Sequence, residues 1–182
     1  EVAGKPMLDY VIDAVTAVNA KAYVVVGHQA ELVQERCARP GINFVAQHEQ
    51  LGTGHAVQQV TPLLETLTQL PQSQAIVLAG DCPLIEVRTL DALFAYHETQ
   101  QCAATVLTAK LKNPFGYGRI LRNENNDVIG IREQKECTET EAKINEINSG
   151  IFVFNAELLC NYITQLSSAN TQKEYYLTYN PQ

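Results

Sequence analysis

"INFVAQHEQLGTGHAVQQV", residues 42–60, is the stretch from which the fold can be read. An extended apolar run ending at Gln47 gives way to the turn Gly52-Thr53-Gly54, and "HAVQQV" then has the spacing of a helix that Pro62 kinks or ends. The same unit recurs on either side. Upstream, "AYVVVG" (22–27) is an unbroken apolar run closed by Gly27, as expected of a strand covered on both faces, and a short helix around Glu31 to Arg36 follows it. Downstream, "QAIVLAGD" (74–81) is another buried strand, after which Leu90, Leu93, Phe94 and His97 share a helical face and "CAATVLTAKL" reads as a longer strand. Ahead of all these, Pro6 can open a helix that carries Met7, Leu8, Val11, Ile12, Val15 and Val18 on one side. Strands alternating with helices imply right-handed crossovers and an open, mainly parallel α/β sheet of Rossmann-like type up to about residue 110.

Beyond that point the pattern changes. "YGRILR" and "DVIGIRE" flank the polar turn "NENND", the signature of a hairpin, and "INSGIFVFN" returns an apolar strand. Asn155 is placed to cap a helix with Leu158, Leu159, Tyr162, Ile163 and Leu166 on one side. With 182 residues, a single domain is expected, a nucleotide-binding half over 1–110 and a second half over 111–182.

The charge balance narrows the partners. Thirteen basic residues against 20 acidic ones give a net charge of −7, and no Lys/Arg cluster offers a polyphosphate-tracking surface, so nonspecific nucleic-acid binding is not expected. Any phosphate ligand must be met by backbone N–H groups, a few local cations or a metal ion. Cys37, Cys82, Cys102, Cys137 and Cys160 are odd in number and form no C-x-x-C pair, which favours reduced thiols packed as small side chains rather than a zinc site. No signal peptide and no apolar stretch of about 20 residues is present, so the expectation is a soluble, cytoplasmic protein without membrane contact.

In open α/β sheets ligands collect beyond the carboxyl ends of the strands, where loops and helix N-termini converge. Two loops stand there. Gly52 and Gly54 permit close backbone approach, Thr53 adds a hydroxyl, and Gln47 offers a paired donor and acceptor suited to a nucleobase edge; the same glycines also suit a plain tight turn. In "LAGDCPL" Asp81 follows a wholly apolar strand, where a carboxylate suits Mg²⁺ bridged to substrate phosphates or, equally, the cap of a turn closed by Pro83. His48 and His55 flank the first loop without a partner at metal or nucleophile spacing and read as surface or packing residues. Later in the chain Gly118, Glu133 and Asn148 could read sugar hydroxyls, though each also has a hairpin or edge-strand explanation. Catalytic triads, a Walker A loop and H-E-x-x-H are absent.

Taken together, "AGKPML" (3–8), "QLGTGHA" (50–56), "GDCPLI" (80–85), "GYGRI" (116–120), "EINSGI" (146–151) and "EYYLT" (174–178) resemble, in order and across nearly the whole chain, the uridyltransferase domain of the bacterial N-acetylglucosamine-1-phosphate uridyltransferases. The resemblance implies the nucleotide-diphospho-sugar transferase fold, with a hairpin and antiparallel sugar-binding part added. It implies that Gln47 and the Gly52 backbone address uracil with Thr53 beside them, that Gly80 lies against the nucleotide, and that Asp81 binds Mg²⁺ in the catalytic step. Gly118, Glu133 and Asn148 would hold the N-acetylglucosamine moiety, with Tyr176 and Thr178 near it.

Three departures qualify the match. The family's Gly-rich opening, "LAAGxGTRM…PK", would lie before Glu1, and Lys5 belongs to the later "AGK" motif instead. "EYYLT" runs into "YNPQ", so the second metal ligand of the family, an asparagine, would lie further on, and Ala79 stands where the family often has tyrosine. The implied reaction joins UTP and N-acetylglucosamine 1-phosphate into UDP-N-acetylglucosamine and pyrophosphate, a step in peptidoglycan and lipopolysaccharide precursor synthesis. The full-length enzymes of the family are bifunctional and trimerise through a downstream acetyltransferase domain. Two alternatives stay open: transfer involving another sugar phosphate or dTTP, and a uridine-nucleotide-binding module that is weak in turnover or without it.

Overall fold

A computed structural model describes residues 1–66, 72–168 and 173–177. Helix α1 (Met7–Ala17) leads to strand β1 (Ala22–Val26), helix α2 (Ala30–Cys37) and strand β2 (Ile42–Ala46). Helices α3 (Thr53–Gln58) and α4 (Thr61–Leu64) follow, with Pro62 in the first turn of α4, where its missing N–H costs nothing. Next come strand β3 (Gln74–Val77), helix α5 (Val87–Gln100) and strand β4 (Ala104–Lys110). The hairpin is β5 (Arg119–Arg122) with β6 (Val128–Arg132), and β7 (Glu146–Asn155) runs directly into α6 (Ala156–Ile163). Asn155 caps α6 as expected, its Oδ1 accepting from the Leu158 N–H at 3.0 Å. Pro6 lies one position outside α1, and Tyr162, expected on the inner face of α6, is 62% exposed, while Ala156, Leu159 and Ile163 are buried. An eight-residue helix against a flat partner has room for only one narrow apolar stripe, and Tyr162 falls outside it.

The α/β architecture holds, and its strand pairing is more specific than the sequence pattern implies. β1 and β2 pair in parallel. β3, β4 and β5 each pair antiparallel with β7, so these three run in a common direction without bonding to one another. A ten-residue strand is long enough for this: its Phe152–Asn155 end takes β3 on one side while β4 follows it along the other, and its Ile147 meets Arg119 of β5.

Side-chain alternation then builds a core on each face of the strands. Val57, Val60, Leu64, Leu159 and Ile163 form one cluster, against which Tyr23 and Val25 of β1, Ala75 and Val77 of β3, and Phe154 of β7 all pack. On the opposite face Leu93, Ile151 and Val153 meet Ile76, Leu78, Phe94 and Leu107. Because β1 and β3 send side chains into one cluster, they lie in a single layer, although no described strand pairs with β1 except β2, or with β3 except β7. Among the described residues no helix is long and apolar enough to cross a membrane. All five cysteines are free; Cys37 is buried and the others half-buried.

Candidate active site

A cleft of about 1140 Å³ runs beside β3. It exceeds the roughly 300–1,000 Å³ of ordinary small-molecule sites. Thr53 and Gly80 line it, and so do Gly118, Glu133, Asn148 and Tyr176, which brings residues of the two halves of the chain onto one cavity. Gln47, Gly52 and Asp81 do not line it; Gly52 and Asp81 each adjoin a residue that does, and Gln47 bonds to Gly52 O. Thr178 lies outside the described residues.

The Gly-Thr-Gly turn has a use that the sequence did not disclose. Residues 173–177 lie across it: Tyr175 N donates to Leu51 O at 2.8 Å, Gly54 N donates to Tyr175 O at 2.7 Å, and Leu177 N approaches Thr53 Oγ1 at 3.5 Å. A methyl group on Gly52 would meet Tyr175 O at 2.8 Å, and one on Gly54 would meet the same oxygen at 2.8 Å and Leu166 Cδ1 at 2.5 Å. The bare backbone therefore accepts this crossing strap, and Gly52 also requires glycine for its φ of +107°. Gly80 differs. A Cβ there would touch only Leu8 Cδ1 at 3.4 Å, an ordinary contact, so packing leaves its exposed main chain open to a ligand.

Gln47 is held rather than free to swing. Its Nε2 donates to Gly52 O at 3.2 Å and stands 3.0 Å from His55 Nδ1, while Gln59 Nε2 stands 3.2 Å from the other ring nitrogen. With Nε2 of Gln47 donating to Nδ1, the Gln47 carbonyl oxygen is the group left for a ligand. His55 thus packs, as expected, and also orients Gln47. Lys5 is engaged by Asp13, which Arg39 also contacts at 2.9 Å.

On the other half, Gly118 is buried against Glu133. A Cβ on Gly118 would lie 3.2 Å from Glu133 Oε1, and the Gly118 carbonyl accepts from Asn148 N at 2.9 Å. Asn148 Oδ1 accepts from Gly150 N at 2.9 Å, which turns the amide so that its –NH₂ end remains for a ligand. Sequence reasoning missed Arg119 and Gln134. Arg119 is 2% exposed; its guanidinium donates to the Tyr117 carbonyl and, at 2.8 Å, to Gln134 Oε1, which also accepts from Gly116 N at 3.0 Å. These bonds fix the 116–118 loop that carries Gly118. A charged residue opening the otherwise apolar "RIL" was the available signal for Arg119; nothing in the sequence marked Gln134.

Asp81 is exposed at the end of β3, with Cys82 Sγ 3.9 Å from its Oδ1. Burial, and then the Asp81 carboxylate, push the Cys82 thiol up, so it stays protonated at neutral pH and is a poor metal ligand. Among the described residues no group of three or more His, Cys, Asp or Glu side chains could enclose a metal. A single exposed carboxylate fits a hard divalent ion that is completed by waters and substrate phosphates, and does not fit an all-protein cage.

The fold is that of the nucleotide-diphospho-sugar transferases. The chain is similar to the crystal structure of UDP-glucose pyrophosphorylase complexed with UDP-glucose, with a TM-score of 0.75, 13% identity, and coverage of 97% of this chain and 73% of that one. Apo UDP-glucose pyrophosphorylase gives a TM-score of 0.71 at 14% identity, over 98% and 74% of the two chains. The chain belongs to the MobA-like NTP transferase domain family, whose model matches residues 1–143. It is 45% identical to the bifunctional protein GlmU of Streptococcus gordonii and 46% identical to that of Streptococcus mutans serotype c, in each case over 98% of this chain and 38% of the relative. The chain thus spans about two fifths of the length of these relatives.

Proposed function

We propose that this chain is the nucleotidyltransferase part of an enzyme that makes UDP-N-acetylglucosamine from UTP and N-acetylglucosamine 1-phosphate. One observation carries the reading: Thr53 and Gly80, from the half assigned to the nucleotide, share a single cavity with Gly118, Glu133, Asn148 and Tyr176, from the half assigned to the sugar. In the reaction a phosphate oxygen of the sugar phosphate attacks the α-phosphorus of UTP in line, a new P–O bond forms, and pyrophosphate leaves with the electron pair of the bond that breaks. The chain's own work is positioning. Gln47, oriented by His55, presents its carbonyl oxygen to the uracil edge, the Gly80 backbone admits the nucleotide closely, and Asn148 and Glu133 bond the sugar. Mg²⁺ at Asp81 would supply charge neutralisation on the phosphates. A cytoplasmic setting fits the substrates, and trimerisation through a further domain belongs to this reading as well.

Calorimetry with UDP-N-acetylglucosamine, UDP-glucose and dTDP-glucose tests it. The expected order places UDP-N-acetylglucosamine first, with Asn148→Ala erasing that preference while UMP affinity is kept. Equal binding of all three, or a preference for the thymidine compound, overturns the substrate assignment. Sugar-nucleotide binding without any pyrophosphate release in a longer chain that carries the whole family pattern overturns the reaction.

A further inference from the structure

Strand β7 breaks step with β4 beside the residues assigned to the sugar. Val106 pairs with Phe152, but Thr108 pairs with Asn148 rather than with Gly150, as an unbroken register would require. A single residue of β4, Leu107, is thus opposed by three of β7, Ser149, Gly150 and Ile151, and among the described residues none of these four stands in a regular pair of the sheet. Two extra residues, rather than one, keep the alternation of faces intact on either side of the break. Such a bulge takes main-chain groups out of the ladder, and beside a site it re-aims a side chain.

One hydroxyl closes the break. Ser149 Oγ donates to Leu107 O at 2.6 Å across the strands and accepts from Ile151 N at 3.2 Å along its own. Gly150 between them has a φ of +78°, and a Cβ there would meet nothing within 4 Å, so the backbone turn and not packing calls for glycine. In that turn Gly150 N donates to Asn148 Oδ1 at 2.9 Å, which holds the Asn148 amide with its –NH₂ end outward. The main chain of Asn148 is tied on its other side, its N donating to Gly118 O at 2.9 Å. Asn148, Ser149 and Gly150 all line the cavity. The direction of the amide therefore depends on Gly150 N, Gly150 N on the turn, and the turn on the Ser149 hydroxyl. We propose that Ser149 is a positioning residue for the sugar: its hydroxyl locks the bulge in the form that presents the Asn148 –NH₂ group to an acceptor oxygen of the ligand. The lock needs a donor and an acceptor on one atom of a short side chain, which serine and threonine have and alanine and valine lack. The role rests on the assignment of Asn148 to the sugar, whereas the lock itself does not.

Ser149→Val and Ser149→Thr introduce side chains of one shape that differ in the hydroxyl, and both residues suit a strand. Amide hydrogen exchange on the ligand-free protein reads the lock. With valine, Gly150 and Ile151 should exchange about tenfold faster while Val153, further along the same strand, is unchanged, and threonine should restore the parent rates. Calorimetry reads the consequence: valine should weaken binding of UDP-N-acetylglucosamine about tenfold with UMP affinity retained, and threonine should recover it. Equal exchange at Gly150 and Ile151 in the parent and valine proteins, faster exchange along the whole of β7, equal losses for both ligands, or a threonine protein that behaves like the valine one overturns the proposal. If Ser149→Val does not fold, Ser149→Ala takes its place in every comparison. A parent protein that binds UDP-N-acetylglucosamine no more tightly than UMP refutes the substrate reading instead, and the exchange comparison still decides the lock.

Discussion

Gly54→Ala separates two physical effects of opposite sign. Gly54 lies in α3, where replacing glycine by alanine ordinarily stabilises a helix by about 1 kcal/mol. Here the added methyl would stand 2.8 Å from Tyr175 O and 2.5 Å from Leu166 Cδ1. Leu166 can turn aside, but the oxygen is main chain and is itself bonded to Gly54 N at 2.7 Å, so the strap must lift. Overpacking of this kind costs about 1–3 kcal/mol, and loss of the hydrogen bond adds about 1 kcal/mol. The balance is a destabilisation of about 1–3 kcal/mol, and 2 kcal/mol corresponds to a fall of about 4–8 °C in Tm for a chain of this size. Urea titration reads the energy through a lowered midpoint at unchanged slope, and tryptic cleavage after Lys173 reads the lifting of the strap as a faster cut. Gly80→Ala is the control: its only close neighbour would be Leu8 at 3.4 Å, and its stability should stay within about 0.5 kcal/mol of the parent. A Gly54→Ala protein as stable as the parent, with Lys173 equally protected, would refute the assignment of these glycines to the strap.

Two further outcomes follow from paired and bonded charges. Arg122 makes a two-pronged pair with Glu146, at 2.9 and 2.7 Å, and these bonds hold the Glu146 carboxyl down from 4.5 to about 2. A lowered folded-state value contributes stability that is complete above about pH 4.5 and is lost as pH falls toward 2; Glu146→Gln should therefore cost about 1–3 kcal/mol at pH 7 and flatten acid denaturation across that window, as urea titrations at stepped pH would record. Arg119→Met should weaken binding of UDP-N-acetylglucosamine by about tenfold with UMP affinity retained, because the guanidinium fixes the 116–118 loop that the proposed function assigns to the sugar; equal losses for both ligands in calorimetry would count against that role.

Elements governed by local pattern were legible in the sequence. The apolar runs at 22–26, 42–46 and 74–77 are strands, the polar "NENND" turns a hairpin, and Asn155 caps its helix, because run length, turn chemistry and capping are decided within a few residues. What stayed hidden depends on residues far apart. Nothing local in "INSGIFVFN" says that it pairs with three strands, and nothing near Gly52 announces that Tyr175 will cross it. Of the candidate site, Gly118, Glu133 and Asn148 line one cleft, whereas the bonds of the buried Arg119 to Tyr117 and Gln134 are made only by folding, and the lone charge opening "RIL" was their one trace in the sequence.

The dependence on β7 also bears on how the chain is made. Val77 finds its partner in Phe152, and Ala104 in Phe154, so β3 and β4 have no mate until the polypeptide has grown past residue 155. Pairings of such long range are slow to close and leave apolar edges exposed meanwhile. A nascent chain stalled anywhere before Glu146 should accordingly engage chaperones, and release from them should coincide with emergence of that last strand rather than with the growth of the helices that precede it.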